Sequence, residues 1–127
     1  AARLDVTNRG VGPKNKRGKT KFNAKDVTKI AINFTIVKNI TASTGERAVY
    51  IRITKPDNDV LTKNSSATFP YENKQLSYSI KKYVEYTGEE LPVTVYWDVE
   101  EFLQAGTYRV NIFSDGNMIG SSSFTLK

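Results

Sequence analysis

A chain of 127 residues, 39% hydrophobic and 25% charged, is long enough for one buried core and too short for two. It has neither Cys nor His, which removes disulfides, thiolate nucleophiles, the common zinc sites and the side chain most used for proton transfer near neutral pH. The net charge of +6 is concentrated: residues 1–29 hold nine Lys/Arg against Asp5 and Asp26, and the rest of the chain is close to neutral.

The chain opens AARLDVTNRG, with no Met and no charged-then-apolar leader, so a processed protein or a piece of a larger one is expected. No run approaches the roughly 18 apolar residues of a spanning helix, and no membrane insertion by this segment is expected. The stretch NRGVGPKNKRGKTKF has three Gly, one Pro and almost no apolar residue before Phe22. Such a stretch cannot bury enough surface to offset the ordering of its backbone. Residues 1–25 therefore read as a basic, Gly/Lys-rich flexible arm or tether. The alternation of Ala2, Leu4 and Val6 allows a short strand before it.

From residue 30 the hydrophobic period is two. IAINFTIVK places Ile30, Ile32, Phe34 and Ile36 on one face, and RAVYIRIT places Val49, Ile51 and Ile53 together with Tyr50 and Arg52 opposite. LSYSIKKYVEY aligns Tyr78, Ile80 and Val84, with Lys82 as the odd member. PVTVYWD aligns Val93, Val95 and Trp97, and TYRVNIF aligns Tyr108, Val110 and Ile112. Alternation rich in β-branched and aromatic residues predicts half-buried antiparallel strands. They fall near 30–38, 47–55, 59–63, 67–72, 76–86, 92–98, 107–114 and 117–126, divided by the turn signals STGE, KPDND, TGEE, LQAG and SDGN. The expected fold is all-β: an immunoglobulin-like antiparallel β-sandwich of seven or eight strands over residues 26–127.

Two local details sharpen that expectation. Asp115-Gly116 suits a two-residue type I′ hairpin turn, whose central residues both need positive φ. Tyr108, just after Gly106, stands where sandwiches of this kind place a tyrosine that bonds back to the preceding corner. The predicted core is Ile32, Phe34, Ile36, Val49, Ile51, Val95, Trp97, Tyr108, Val110 and Ile112.

The chemistry-bearing residues are sparse. Asp98, Glu100 and Glu101 cluster in WDVEEF beside a turn, where solvated carboxylates are expected rather than an acid/base pair. Asp57, Asn58 and Asp59 lack the Gly and distant Glu of a calcium loop and read as a turn. Ser121, Ser122 and Ser123 have no base to activate them, and no phosphate-binding motif is present. No catalytic residue, cofactor or metal is expected. Two binding surfaces remain. One is the arm, through Lys14, Lys16, Arg17, Lys19 and Lys21, which could neutralise an anionic polymer or nucleic acid. Nucleic acid is the weaker expectation, because the first aromatic residue is Phe22 and the stacking platform is missing. The other is a sheet face bearing Tyr50, Tyr83 and Tyr96, which could take a sugar or a partner protein, or form cross-strand pairs.

The stretches TKFNAKDVTKIAINFTI, RAVYIRITKPDNDVL, VTVYWD and GTYRVNIFSDGNMIGSSSFTLK resemble the C-terminal β-domain of coiled-coil-containing envelope proteins from Gram-negative gut anaerobes. The resemblance runs from about Thr20 to Lys127. It implies a non-catalytic structural or interaction module of the cell envelope, periplasmic or surface-facing, whose partner is another protein or a glycan. It also implies possible oligomers through an upstream coiled coil. A weaker resemblance, through Gly106-Thr107-Tyr108, is to immunoglobulin-like secretion-sorting domains, but the P-N-P opening and Lys-rich closing strand are lacking.

Overall fold

A computed structural model describes residues 3–127; Ala2, part of the alternation noted above, lies outside them. The chain is all-β. Its strands are β1 (Val6–Lys14), β2 (Lys29–Ile36), β3 (Gly45–Thr54), β4 (Thr68–Tyr71), β5 (Lys74–Ser77), β6 (Ile80–Tyr86), β7 (Leu91–Asp98), β8 (Gly106–Ser114) and β9 (Asn117–Leu126). One 3₁₀ turn, Ala24–Asp26, interrupts them. All pairings are antiparallel: β1-β2-β7 form one sheet, β6-β3-β8-β9 a second, and β4-β5 a separate hairpin. The sheets do not close into a barrel. Among the described residues, no helix is long and apolar enough to cross a membrane.

The two larger sheets share one core. The three-stranded sheet contributes Ile30, Ile32, Phe34 and Ile36 from β2 and Val93, Val95 and Trp97 from β7. The four-stranded sheet contributes Val49, Ile51 and Ile53 from β3 and Tyr108, Val110 and Ile112 from β8. Each set is one parity of an alternating strand, as the pleat requires. Every predicted core residue is buried. The β8–β9 hairpin turns with φ of 51° at Asp115 and 77° at Gly116, as the type I′ reading expects.

The amino-terminal segment departs from the sequence reading. Residues 6–14 are no tether: β1 pairs with β2 from Val6 opposite Ile36 to Lys14 opposite Lys29, with a bulge between Thr7 and Gly10. A strand needs only backbone to pair, and two buried side chains, Leu4 and Val6, anchor it to the core. Gly120 of β9 makes room for it, since a Cβ there would lie 2.7 Å from Val6 Cγ2.

Two other segments also differ. The span expected as one strand over 76–86 breaks at Ser79. The Ser79 hydroxyl accepts a hydrogen bond from the Ile53 amide at 2.9 Å, and the Ser79 amide donates to the Ile51 carbonyl at 2.8 Å. A side chain thus stands in for a ladder acceptor, and the chain passes from the small hairpin into β6. Tyr78 consequently packs on Tyr50, 5.3 Å between ring centroids, rather than in line with Ile80 and Val84. Residues 59–63 form no strand. An isolated bridge joins Thr54 to Val60, and Leu61 plugs the core with its amide on the Ile53 carbonyl at 2.9 Å.

Candidate functional site

Beyond β1 the chain makes a tight loop and returns. The Asn15 amide donates to the Lys19 carbonyl at 2.9 Å, and the Gly18 amide to the Asn15 carbonyl at 3.0 Å. The Asn15 side-chain oxygen accepts from the amides of Arg17 and Lys19, both at 3.0 Å. Gly18 holds φ at +80°, a conformation that costs glycine little. Beyond the loop, the Lys21 amide donates to the Pro13 carbonyl at 2.9 Å, and the Lys14 ammonium to the Thr20 hydroxyl at 2.9 Å. Lys16 and Arg17 are therefore carried on an ordered turn rather than a free tail.

That turn stands over the outer face of the three-stranded sheet. The register aligns Gly12 with Ala31 and Ala31 with Tyr96; the next row is Gly10, Asn33 and Thr94. Two glycines and an alanine leave this floor low. The result is a groove of about 520 Å³ lined by Lys14, Asn15, Lys16, Arg17, Gly18, Lys29, Ala31, Asn33, Thr94 and Tyr96. Tyr96 is 57% exposed, and the Lys29 ammonium lies 5.1 Å from its ring centroid. Four cations line the groove, and no carboxylate is among its described lining residues.

The structure sorts the expected site residues into three groups. Lys14, Lys16, Arg17 and Tyr96 come together here. Lys19 and Lys21 are exposed on the same loop, but they do not line the groove. Tyr50 and Tyr83 lie on the outer face of the other sheet, so the three tyrosines form no common platform. Tyr50 is moreover covered. The β4–β5 hairpin lays Phe69 on it at 4.5 Å between centroids, and Phe69 and Tyr71 reach Phe113 at 5.1 and 5.0 Å. Tyr83 stays 54% exposed beside Lys81, whose ammonium is 4.8 Å from that ring and 5.6 Å from Tyr50. Tyr83, and to a lesser extent Tyr50, hold the pKa of the exposed Lys81 ammonium above its usual value.

Lys29, Asn33 and Thr94 were not singled out from the sequence. The signal was present, because each takes the parity opposite to the core residues of its strand. What was missing was the strand order that sets β1 and β7 on either side of β2. Two of the acidic residues are engaged elsewhere: Glu100 pairs with Lys63 at 2.8 Å, and Glu101 with Lys55 at 3.5 Å, whereas Asp98 is exposed on β7 opposite Lys29. The Asp57 carboxylate accepts from the Asp59 amide at 2.9 Å, which makes PDND a turn. Among the described residues, no three acidic side chains group closely enough to hold a metal ion. The groove can hold an anion by charge and by hydrogen bonds.

The profile of a domain of unknown function, DUF8428, matches residues 6–127. The chain belongs to the DUF8428 family. The match begins at the first residue of β1, so the family unit includes the basic strand and loop. No curated protein matches this DUF8428 chain in sequence. Two solved structures share its fold. One is the alkylpurine DNA glycosylase AlkC of Pseudomonas fluorescens, bound to DNA containing an abasic site analog, with a TM-score of 0.57 and 14% identity. The other is a β-glucosidase from Kluyveromyces marxianus, with a TM-score of 0.53 and 14% identity. The alignments cover 100% and 94% of this chain but only 31% and 15% of those proteins. At this identity the likeness is one of fold.

Proposed function

We propose that this domain is a non-catalytic binding module that holds an anionic polymer on the outer face of its three-stranded sheet. The observation that carries the reading is the groove lined by Lys14, Lys16, Arg17, Lys29 and Tyr96, with no carboxylate among its described lining residues. A cleft lined by charge of one sign focuses the field and attracts ligands of the opposite sign. The loop hydrogen bonds of Asn15 fix the backbone that carries Lys16 and Arg17 before binding, which lowers the ordering cost of association.

The same proposal carries the finer reading of the fold. Two antiparallel sheets around one core, with the Tyr108 hydroxyl on the Gln104 carbonyl, support an immunoglobulin-like sandwich. An envelope location and a role as an interaction module rest on the resemblance of the sequence to envelope β-domains. The polymer then belongs to the cell surface or its surroundings.

Retention on immobilised heparin and on inorganic polyphosphate tests the reading. Both should hold the protein at low salt and release it as salt rises. The double substitution Lys16→Ala with Arg17→Ala should weaken retention, so that the protein elutes at clearly lower salt, while leaving the far-UV circular dichroism unchanged. Equal retention of that variant would sink the proposal.

A further inference from the structure

The basic groove has a floor that charge alone does not explain. Beside the exposed Tyr96 ring lie the amide of Asn33 and the hydroxyl of Thr94, paired directly across β2 and β7. Asn33 and Thr94 are exposed, and Gly10, the β1 partner of Asn33, offers no side chain to cover them. The bare position leaves the Asn33 side chain room to lie over β1, since a Cβ on Gly10 would meet its oxygen at 2.8 Å. A pure polyanion site needs only cations. A flat ring with neutral donors and acceptors one row away suits a ligand that has an apolar face and many hydroxyls.

We infer that the groove takes an acidic glycan: a sugar ring lies on Tyr96, its hydroxyls meet Asn33 and Thr94, and its carboxylate or sulfate faces Lys29 and Arg17. The inference rests on the polyanion reading and deepens it. The Lys29 ammonium, now over the Tyr96 ring, sits on a flexible four-carbon stem and can swing to the acid group as the sugar enters. The division of labour is clear: cations set the strength and the salt dependence, while Tyr96, Asn33 and Thr94 set the class of ligand.

The test compares three probes on the whole chain: polygalacturonate, inorganic polyphosphate and a short oligothymidylate, each by calorimetry or filter retention at low salt. Tyr96→Ala and Asn33→Ala alter exposed side chains on an outer face, and circular dichroism checks that both variants are folded. We expect each to weaken polygalacturonate binding by about fivefold to tenfold, the loss of one stacking or neutral hydrogen-bonding contact. In both variants the loss should be larger for polygalacturonate than for polyphosphate, and Lys16→Ala with Arg17→Ala should weaken all three probes. If neither substitution affects polygalacturonate, the glycan inference falls while the polyanion reading stands. If oligothymidylate binds tighter than polygalacturonate and depends on Tyr96, the site serves single-stranded nucleic acid and the inference is overturned. If the unmodified protein binds none of the probes, both readings fall.

Discussion

The Tyr108 hydroxyl donates a hydrogen bond to the Gln104 carbonyl oxygen at 2.7 Å, four residues back along the chain. Tyr108 is fully buried, and its ring stacks on Phe124 at 5.1 Å between centroids. The bond therefore ties the entrance of β8 to the corner that follows β7. Tyr108→Phe keeps the ring and removes only the tie. We expect a loss of about 1 kcal/mol, read as a lower urea midpoint at unchanged slope. A variant as stable as the parent would show that the corner holds without the hydroxyl.

The same residue gives the protein an alkaline limit. Burial raises the Tyr108 pKa above the ordinary tyrosine value of 10.0, and the carboxylates of Glu101 and Asp57 add to the shift. A group whose value is higher in the folded state stabilises the fold fully below the unfolded value. That contribution is lost as pH rises from there through the folded value. Urea midpoints taken between about pH 9 and pH 11 should fall in the parent more steeply than in Tyr108→Phe. Parallel curves would count against this.

Ser79 is where the chain leaves the small hairpin for β6, and its hydroxyl is the partner of the buried Ile53 amide. Ser79→Ala strands that amide away from water. The expected cost is about 1–3 kcal/mol, larger than for an exposed serine. Amide hydrogen exchange at Ile53 should accelerate with the loss, and unchanged protection there would show that another acceptor takes over.

Removal of residues 1–14 would be benign if they were a tether. As β1 they cover the edge of β2 and bury Leu4 and Val6. Those two side chains alone contribute about 1.5–3 kcal/mol each, against a typical total stability of about 5–15 kcal/mol. The truncated chain should be unfolded or aggregated by circular dichroism and size exclusion. Gly120→Ala probes the same docking more gently, with an expected cost of about 1–3 kcal/mol from its contact with Val6.

Lys82 occupies a core-facing position of the edge strand β6, opposite Val49, yet its side chain is exposed. A charge pointing inward on an edge discourages pairing with another chain. Lys82→Val would extend the apolar row of Ile80 and Val84. It should raise self-association, seen as a concentration-dependent shift in light scattering.

The strand expected at 59–63 does not form, whereas strands β2, β3, β7, β8 and β9, their inward faces and the Asp115-Gly116 turn were legible in the sequence, because alternation and positive-φ preferences act over two or three residues. Lys82 stood out there too, as the break in its row, although only the edge position of β6 gives the break a purpose. The strand β1 was not legible. A bulge between Thr7 and Gly10 throws its inward residues Val6, Val11 and Pro13 out of one period, and Gly10 and Gly12 take the outward face, so the alternation by which strands are recognised is broken. Its pairing uses backbone groups that every residue possesses, and composition does not record them. Ser79 likewise hid a chain break inside a regular alternation, because its hydroxyl acts on a strand far along the sequence. Tyr96 shows the same limit most directly. Its exposure followed from parity, but its neighbours Lys16 and Arg17 followed from strand order. That order is set by which faces bury most apolar area together, and only the folded chain decides it.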